Sequence, residues 1–259
     1  MAHEGNIIQL EKKFARHYSK KYQWGSYLDS LGYAYAAVSK AIFGDTNAAG
    51  KVMALASYGN HDAAIPDVFD RFDGSLVNSD WLQFINAQEL PINWESTLAQ
   101  NLSYSIQNAL ELYSINRINC LLERYKCSSV GLGGGVALNC KNNGIIANQS
   151  RAEQVYLFPA CGDNGLSIGA AIWALRSIYK NNESIIWNYS MGKIYGSISH
   201  SIHDIQRAVE LLIKGEIIGI FESGSEFGPR ALCCRSLLAI ATTPETKVLL
   251  NSKIKKREK

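Results

Sequence analysis

A chain of 259 residues that is 47% hydrophobic and 19% charged carries enough apolar surface for one large core or two modest ones. Its formal charge of +3 is too small for a nucleic-acid-binding surface, and no basic stripe interleaves with aromatics. No apolar run approaches a membrane span, and the opening Met1-Ala2-His3-Glu4-Gly5-Asn6 lacks a signal peptide's apolar core, so a cytoplasmic protein without membrane partners is expected. The six cysteines form no Cys-x-x-Cys pair and read mostly as buried, reduced thiols.

Along the chain, Leu28, Leu31, Tyr35, Val38 and Ile42 recur at helical spacing and predict a helix over 26–43. Residues 62–89, punctuated by Pro66 and Gly74, read as an irregular excursion with short elements. A long amphipathic helix follows over 94–123, with Leu98, Leu102, Ile106, Ala109, Leu110, Tyr113 and Leu121 on its apolar side. Next come a strand over 128–132, a glycine turn, a helix over 137–149 and a strand over 154–158. A helix over 165–179 carries Gly169, Ala170, Ala171 and Ala174, which suit close packing. The polar stretch 181–201 reads as a linker. Beyond it the expected order is a helix over 202–214, a strand over 216–221, a loop over 226–236, a strand over 237–242, and a helix opened by Pro244. Alternating strands and helices give an α/β fold class. The expected domains are 1–190 and 200–259.

The glycine turn is the stretch Val130-Gly131-Leu132-Gly133-Gly134-Gly135-Val136-Ala137-Leu138-Asn139. Glycine permits positive φ and lets a ligand approach bare backbone N–H groups, and a following helix adds its positive dipole end. The run lacks the Lys-Ser/Thr of a Walker turn and the spacing of a dinucleotide-binding turn. Two readings stand: a nucleotide-binding turn, or a tight strand–helix connection without a ligand.

Three further blocks accompany it: Gly50-Lys51-Val52-Met53-Ala54-Leu55-Ala56-Ser57-Tyr58-Gly59, Phe158-Pro159-Ala160-Cys161-Gly162-Asp163-Asn164-Gly165-Leu166-Ser167-Ile168-Gly169-Ala170-Ala171, and Glu226-Phe227-Gly228-Pro229-Arg230-Ala231-Leu232-Cys233-Cys234-Arg235-Ser236. The four blocks, in this order, resemble the carbamoyltransferases of the nodulation-protein and cephamycin type. The resemblance implies one lobe of an actin/sugar-kinase/Hsp70-like fold, followed by the start of a threonylcarbamoyl-AMP-synthase-like α/β domain. It implies ATP-dependent O-carbamoyl transfer from carbamoyl phosphate, through carbamoyl-adenylate, to the hydroxyl of a small-molecule acceptor.

Carried over by that resemblance, Gly133, Gly134, Gly135, Ala137 and Asn139 would cradle ATP. Asp163 would bind a divalent metal, iron or magnesium, and Arg230 and Arg235 would grip carbamoyl phosphate. Taken alone, Asp163 is more often a helix cap than a ligand and Arg230 usually a surface arginine; the surrounding motifs reverse the balance for Asp163. The family's His-x-x-x-His metal pair has no counterpart among His3, His17, His61, His200 and His203. Cys233-Cys234 stand where the family usually has glycine and a polar residue. An actin-like clamp closes between two lobes, so a single lobe is expected to hold ATP weakly and to need a separate chain supplying the other. An inactive nucleotide-binding remnant or scaffold, and a sugar-kinase-like phosphotransferase, are the alternative functions.

Overall fold

The structure, a computed structural model, describes residues 30–70, 77–180, 188–190, 192–193, 201–222 and 224–256, together with the backbone of two short strands, β1 (Ala2–His3) and β2 (Asn6–Ile7). The described elements are mixed helix and strand, and the chain divides after Gly162 into two compact units.

The first unit is built around a helical core. Helix α1 (Leu31–Phe43) starts where the Ser30 hydroxyl accepts the Tyr33 N–H, and stops at Gly44, whose φ of +70° provides the left-handed turn. The expected first turn at 26–29 lies outside the described residues. Helices α2 (Ala49–Leu55) and α3 (Ser79–Asn86) pack with it. Helix α4 (Thr97–Tyr125), capped by the Ser96 hydroxyl on Ala99 N–H, packs against α1 and α2. Val38, Val52, Trp81, Leu102 and Ile106 are buried at its heart.

The apolar stripe of α4 differs from the expected one in its last turns, where Ile118 and Leu122, not Leu121, are buried. A straight helix rotates its stripe, and this end of α4 meets a second cluster with Ile146, Val130 and Val155. That cluster belongs to a parallel pair, β3 (Ser129–Leu132) and β4 (Gln154–Leu157), joined through α5 (Cys140–Gln149). A crossover of this kind is what parallel neighbours require.

The second unit starts with a 3₁₀ turn at Asp163–Gly165 and helix α6 (Leu166–Ser177). The expected close packing of α6 is not found: none of its residues is buried, and Leu166 and Trp173 are 71% and 65% exposed. Its small residues therefore face no covering element among those described. Much of the expected linker, 181–187 and 194–200, lies outside the described residues. Helix α7 (Ile202–Ile213) opens with a capping box in which Ser201 and Asp204 satisfy each other's backbone N–H. Strands β5 (Ile218–Phe221) and β6 (Arg235–Leu238) pair antiparallel, with Phe221 opposite Arg235. The second strand was expected over 237–242. It begins two residues earlier because its register follows β5, which draws Arg235 out of the loop and into the sheet. Helix α8 (Pro244–Leu249) continues into a π-helical turn, Leu250–Lys255. No helix of the described residues is long and apolar enough to cross a membrane.

The cysteines depart from expectation as well. All six are free, and only Cys161 and Cys234 are buried. Cys127, Cys140 and Cys233 sit at helix ends and in a loop, where the backbone meets solvent.

Candidate functional site

Strand β3 delivers the chain into the glycine turn. Gly134 has φ +89° and ψ 171°, an extended positive-φ region essentially reserved for glycine, where another residue costs about 1–3 kcal/mol, so glycine is required there by the backbone itself. Its N–H is bonded to the Cys161 carbonyl at 2.7 Å, which ties the turn to the chain leaving β4. A Cβ added at Gly133 or Gly135 would meet nothing within 4 Å. Internal packing therefore does not demand glycine at these two positions, and their backbone lies open to approach.

The predicted cradle is narrower than the five residues suggest. Residues Gly135–Leu138 form a 3₁₀ turn in which Ala137 N–H bonds Gly134 O and Asn139 N–H bonds Val136 O, both at 3.0 Å. The following helix starts at Cys140, not 137, because the Asn139 side chain caps it: Oδ1 accepts the Asn142 N–H at 2.9 Å. One of that helix's unpaired donors is thus satisfied by its own cap.

Asn139 is held from behind by Gln107, which apolar periodicity does not single out. Its Nδ2 donates to Gln107 Oε1 at 2.8 Å, and the same oxygen accepts the Tyr35 hydroxyl at 2.8 Å. Gln107 Nε2 donates to Glu111 Oε1 at 2.7 Å, and Lys141 Nζ stands 3.2 Å from that carboxylate. Burial pushes the Tyr35 phenol well above its usual pKa, and the Glu111 charge adds to this against the opposing Asn139 interaction. Helices α1, α4 and α5 are joined here by one fully bonded amide. The available signal was polar Ser103, Gln107 and Ser114 on the face of α4 that also carries Leu110.

Beside the turn lies a cleft of about 160 Å³ between α4, the end of β3 and α5. Tyr113 and Arg117 of α4, Gly133 and Ala137 of the turn, and Asn142 and Asn143 of α5 line it. Asn142 is 2% exposed, yet its Oδ1 has no hydrogen-bond partner, and neither does Asn143 Oδ1. Asn143 Nδ2 donates to Ala137 O at 2.7 Å, which fixes that amide's orientation. Buried acceptors without donors are costly, so two carbonyl oxygens here call for a ligand or water that donates. An apolar cavity of about 150 Å³ admits a benzene ring, so the cleft, at about 160 Å³, has room for one six-membered aromatic ring.

Asp163 begins the 3₁₀ turn of the second unit and is exposed. Helix α6 has Gly165 at its N-cap and no side-chain cap bond, so Asp163 is not seen capping it. Among the described residues no three His, Cys, Asp or Glu side chains converge on a point that could hold a metal ion. A single carboxylate does not make up the six or more oxygen ligands that a hard cation takes. The described donors therefore do not by themselves fit a metal.

The two arginines are placed differently from each other. Arg230 is exposed on the bend that follows Gly228, whose φ is +91°. Arg235 lies on β6, and its Nη2 donates to the Glu226 carbonyl at 3.2 Å. Its Nε stands 3.9 Å from Glu226 Oε2. Arg235 is thus tied to Glu226, and the loop presents Arg230.

Comparison with known proteins agrees with these blocks. Residues 3–172 match the family described as carbamoyltransferase N-terminus, and residues 209–259 the one described as carbamoyltransferase C-terminus. Nodulation protein NolNO of Sinorhizobium fredii is 28% identical over 89% of this chain and 38% of its own length. Nodulation protein U of the same organism is 28% identical over 95% of this chain and 51% of its own. The 3'-hydroxymethylcephem-O-carbamoyltransferase of Streptomyces clavuligerus is 27% identical over 82% of this chain and 42% of its own. The chain therefore spans about half, or less, of the length of the curated relatives it matches. With both family regions matched in order, the first across most of the chain, the chain belongs to the carbamoyltransferase family.

Proposed function

We propose that this chain contributes to ATP-dependent O-carbamoyl transfer, with carbamoyl phosphate as donor and a small-molecule hydroxyl as acceptor. In this reading the first unit is a lobe of an actin-like nucleotide-binding fold. Residues 1–190 make up that N-terminal, actin-like domain, and residues 200–259 are the start of a threonylcarbamoyl-AMP-synthase-like domain that forms carbamoyl-adenylate. The observation that carries it is the cleft beside the glycine turn. The six-membered ring of a purine, entering the cleft against Tyr113, would offer its exocyclic amine to the unpartnered Asn142 Oδ1. The nucleotide's phosphates would then lie along the open backbone of Gly133 and Gly135. Arg230 would meet the phosphate of carbamoyl phosphate, because a planar guanidinium matches two phosphate oxygens at once.

Amide chemical-shift mapping of the chain with millimolar ATP and magnesium tests the nucleotide site even if affinity is weak. Shifts clustered at Gly133–Ala137 and Asn142–Asn143, and lost in Asn142→Leu, are expected. Shifts elsewhere, or none at saturating ATP, would overturn the assignment. The donor site is tested separately by Arg230→Lys, which keeps the charge and loses the fork. Carbamoyl-phosphate affinity should fall by about ten-fold or more, and an unchanged affinity would refute the role.

A further inference from the structure

The loop that carries Arg230 is closed by a single carboxylate. Glu226 has a side chain only 5% exposed, and its Oε1 accepts the N–H groups of Leu232 and Cys234, each at 2.6 Å. Its carbonyl oxygen accepts from the Arg235 guanidinium. The residues on either side are also anchored: Ser225 N–H bonds Lys193 O at 3.0 Å, and Phe227 N–H bonds Tyr189 O at 3.1 Å. Any side chain at Gly224 would run into the Ser190 carbonyl, so this stretch lies flush against Tyr189, Ser190, Gly192 and Lys193. Glu226 is thus a fixed point, and the chain from Gly228 to Ala231 is a short arch spanning its backbone and the two amides that its side chain holds.

We propose that Glu226 is the positioning residue of this arch: it sets the shape in which Arg230 is presented, and it does so by accepting two amides and bracing Arg235. A carboxylate suits the task because charge-assisted bonds to amides are short and about twice as strong as neutral ones. Leu232 and Cys234 are two residues apart, so one oxygen bonded to both amides holds the returning strand in a single conformation. Without that acceptor, two donors beside the buried Cys234 lose their partner and the arch loses its closure. The inference rests on the proposed carbamoyl-phosphate site only for what Arg230 does, not for how the arch is held.

The test is made on the full chain with Glu226→Ala, Glu226→Gln, Glu226→Asp and Arg230→Ala. Hydrogen exchange is read at the Leu232 and Cys234 amides, and carbamoyl-phosphate affinity by titration. Glu226→Ala should speed exchange at both amides by about ten-fold or more and weaken carbamoyl phosphate comparably. Glu226→Gln retains a carbonyl acceptor of the same length and should restore most of both, whereas Glu226→Asp, one methylene short, should restore neither. If Glu226→Ala does not fold, the Gln and Asp variants carry the same comparison. Unchanged exchange in Glu226→Ala or Glu226→Asp would overturn the clamp. Faster exchange with unchanged affinity, where Arg230→Ala loses affinity, would overturn the positioning of Arg230. If the unsubstituted chain and Arg230→Ala bind alike while exchange still responds, the clamp stands and the carbamoyl-phosphate reading fails.

Discussion

Replacing Gln107 with leucine, a side chain of similar volume, tests whether one amide joins α1, α4 and α5. Gln107 is 1% exposed and bonds Tyr35, Asn139 and Glu111. Removal strands the Tyr35 hydroxyl, on a residue 7% exposed, and the Asn139 Nδ2. Glu111 keeps Lys141 at 3.2 Å and so loses less. Each stranded buried group costs about 1–3 kcal/mol, and leucine returns part of this as apolar burial. The expected loss is about 2–4 kcal/mol, which is a large share of a typical domain's 5–15 kcal/mol. For a unit of this size the melting temperature should fall by roughly 4–16 °C. Urea denaturation of both proteins, read as the change in midpoint at constant slope, measures it. A loss below about 0.5 kcal/mol, the range of ordinary surface substitutions, would show that the network does not hold the turn. Gln107→Leu should also weaken any nucleotide bound at the turn, since Asn139 would lose one of its two anchors.

Gly134→Ala places a Cβ at φ +89° and ψ 171° and should cost about 1–3 kcal/mol by calorimetry, even though the space around it is open. A neutral result would mean that the turn relaxes to another conformation. Cys233 holds φ +76°, so Cys233→Gly should relieve strain; after the entropy glycine adds to the unfolded chain, a net gain of about 0.5–1 kcal/mol is expected. Destabilisation in urea melts would refute this. Burial alone would raise the Glu226 carboxyl, but the amides of Leu232, Cys234 and Arg235 and the Arg235 charge together lower it. A carboxyl lowered on folding adds stability above its unfolded pKa, about 4.3 for Glu, and loses it as pH falls through the folded value. Denaturation between about pH 6 and 3 should therefore show a loss below about pH 4.3 that is smaller in Glu226→Gln, and equal curves would exclude the carboxylate as its source.

Local chemistry was readable from the chain itself. The Ser201–Asp204 pair starts its helix through side-chain bonds within three residues, at the boundary the sequence predicts, while the Ser96 cap sets a start at Thr97 that the apolar periodicity alone had put at 94. The glycine at position 134 was likewise legible as a turn, because its positive φ is a property of one residue. The four blocks and their order were enough to point to the family. Tertiary structure decided what those blocks do to one another. Gln107 meets Tyr35 across 72 residues and Asn139 across 32, and hydrogen bonds of that span leave no period in a sequence. Asn139 thereby became a helix cap with an anchored amide. Strand β6 took its register from β5, which moved Arg235 out of the loop and onto Glu226. The cleft is bounded by residues of α4, β3, the turn and α5 that lie apart in sequence, and only their packing leaves Asn142 and Asn143 with buried oxygens that lack donors. Periodicity names the residues that face a core, but the gaps in that core, and the acceptors left waiting in them, depend on how separate elements meet.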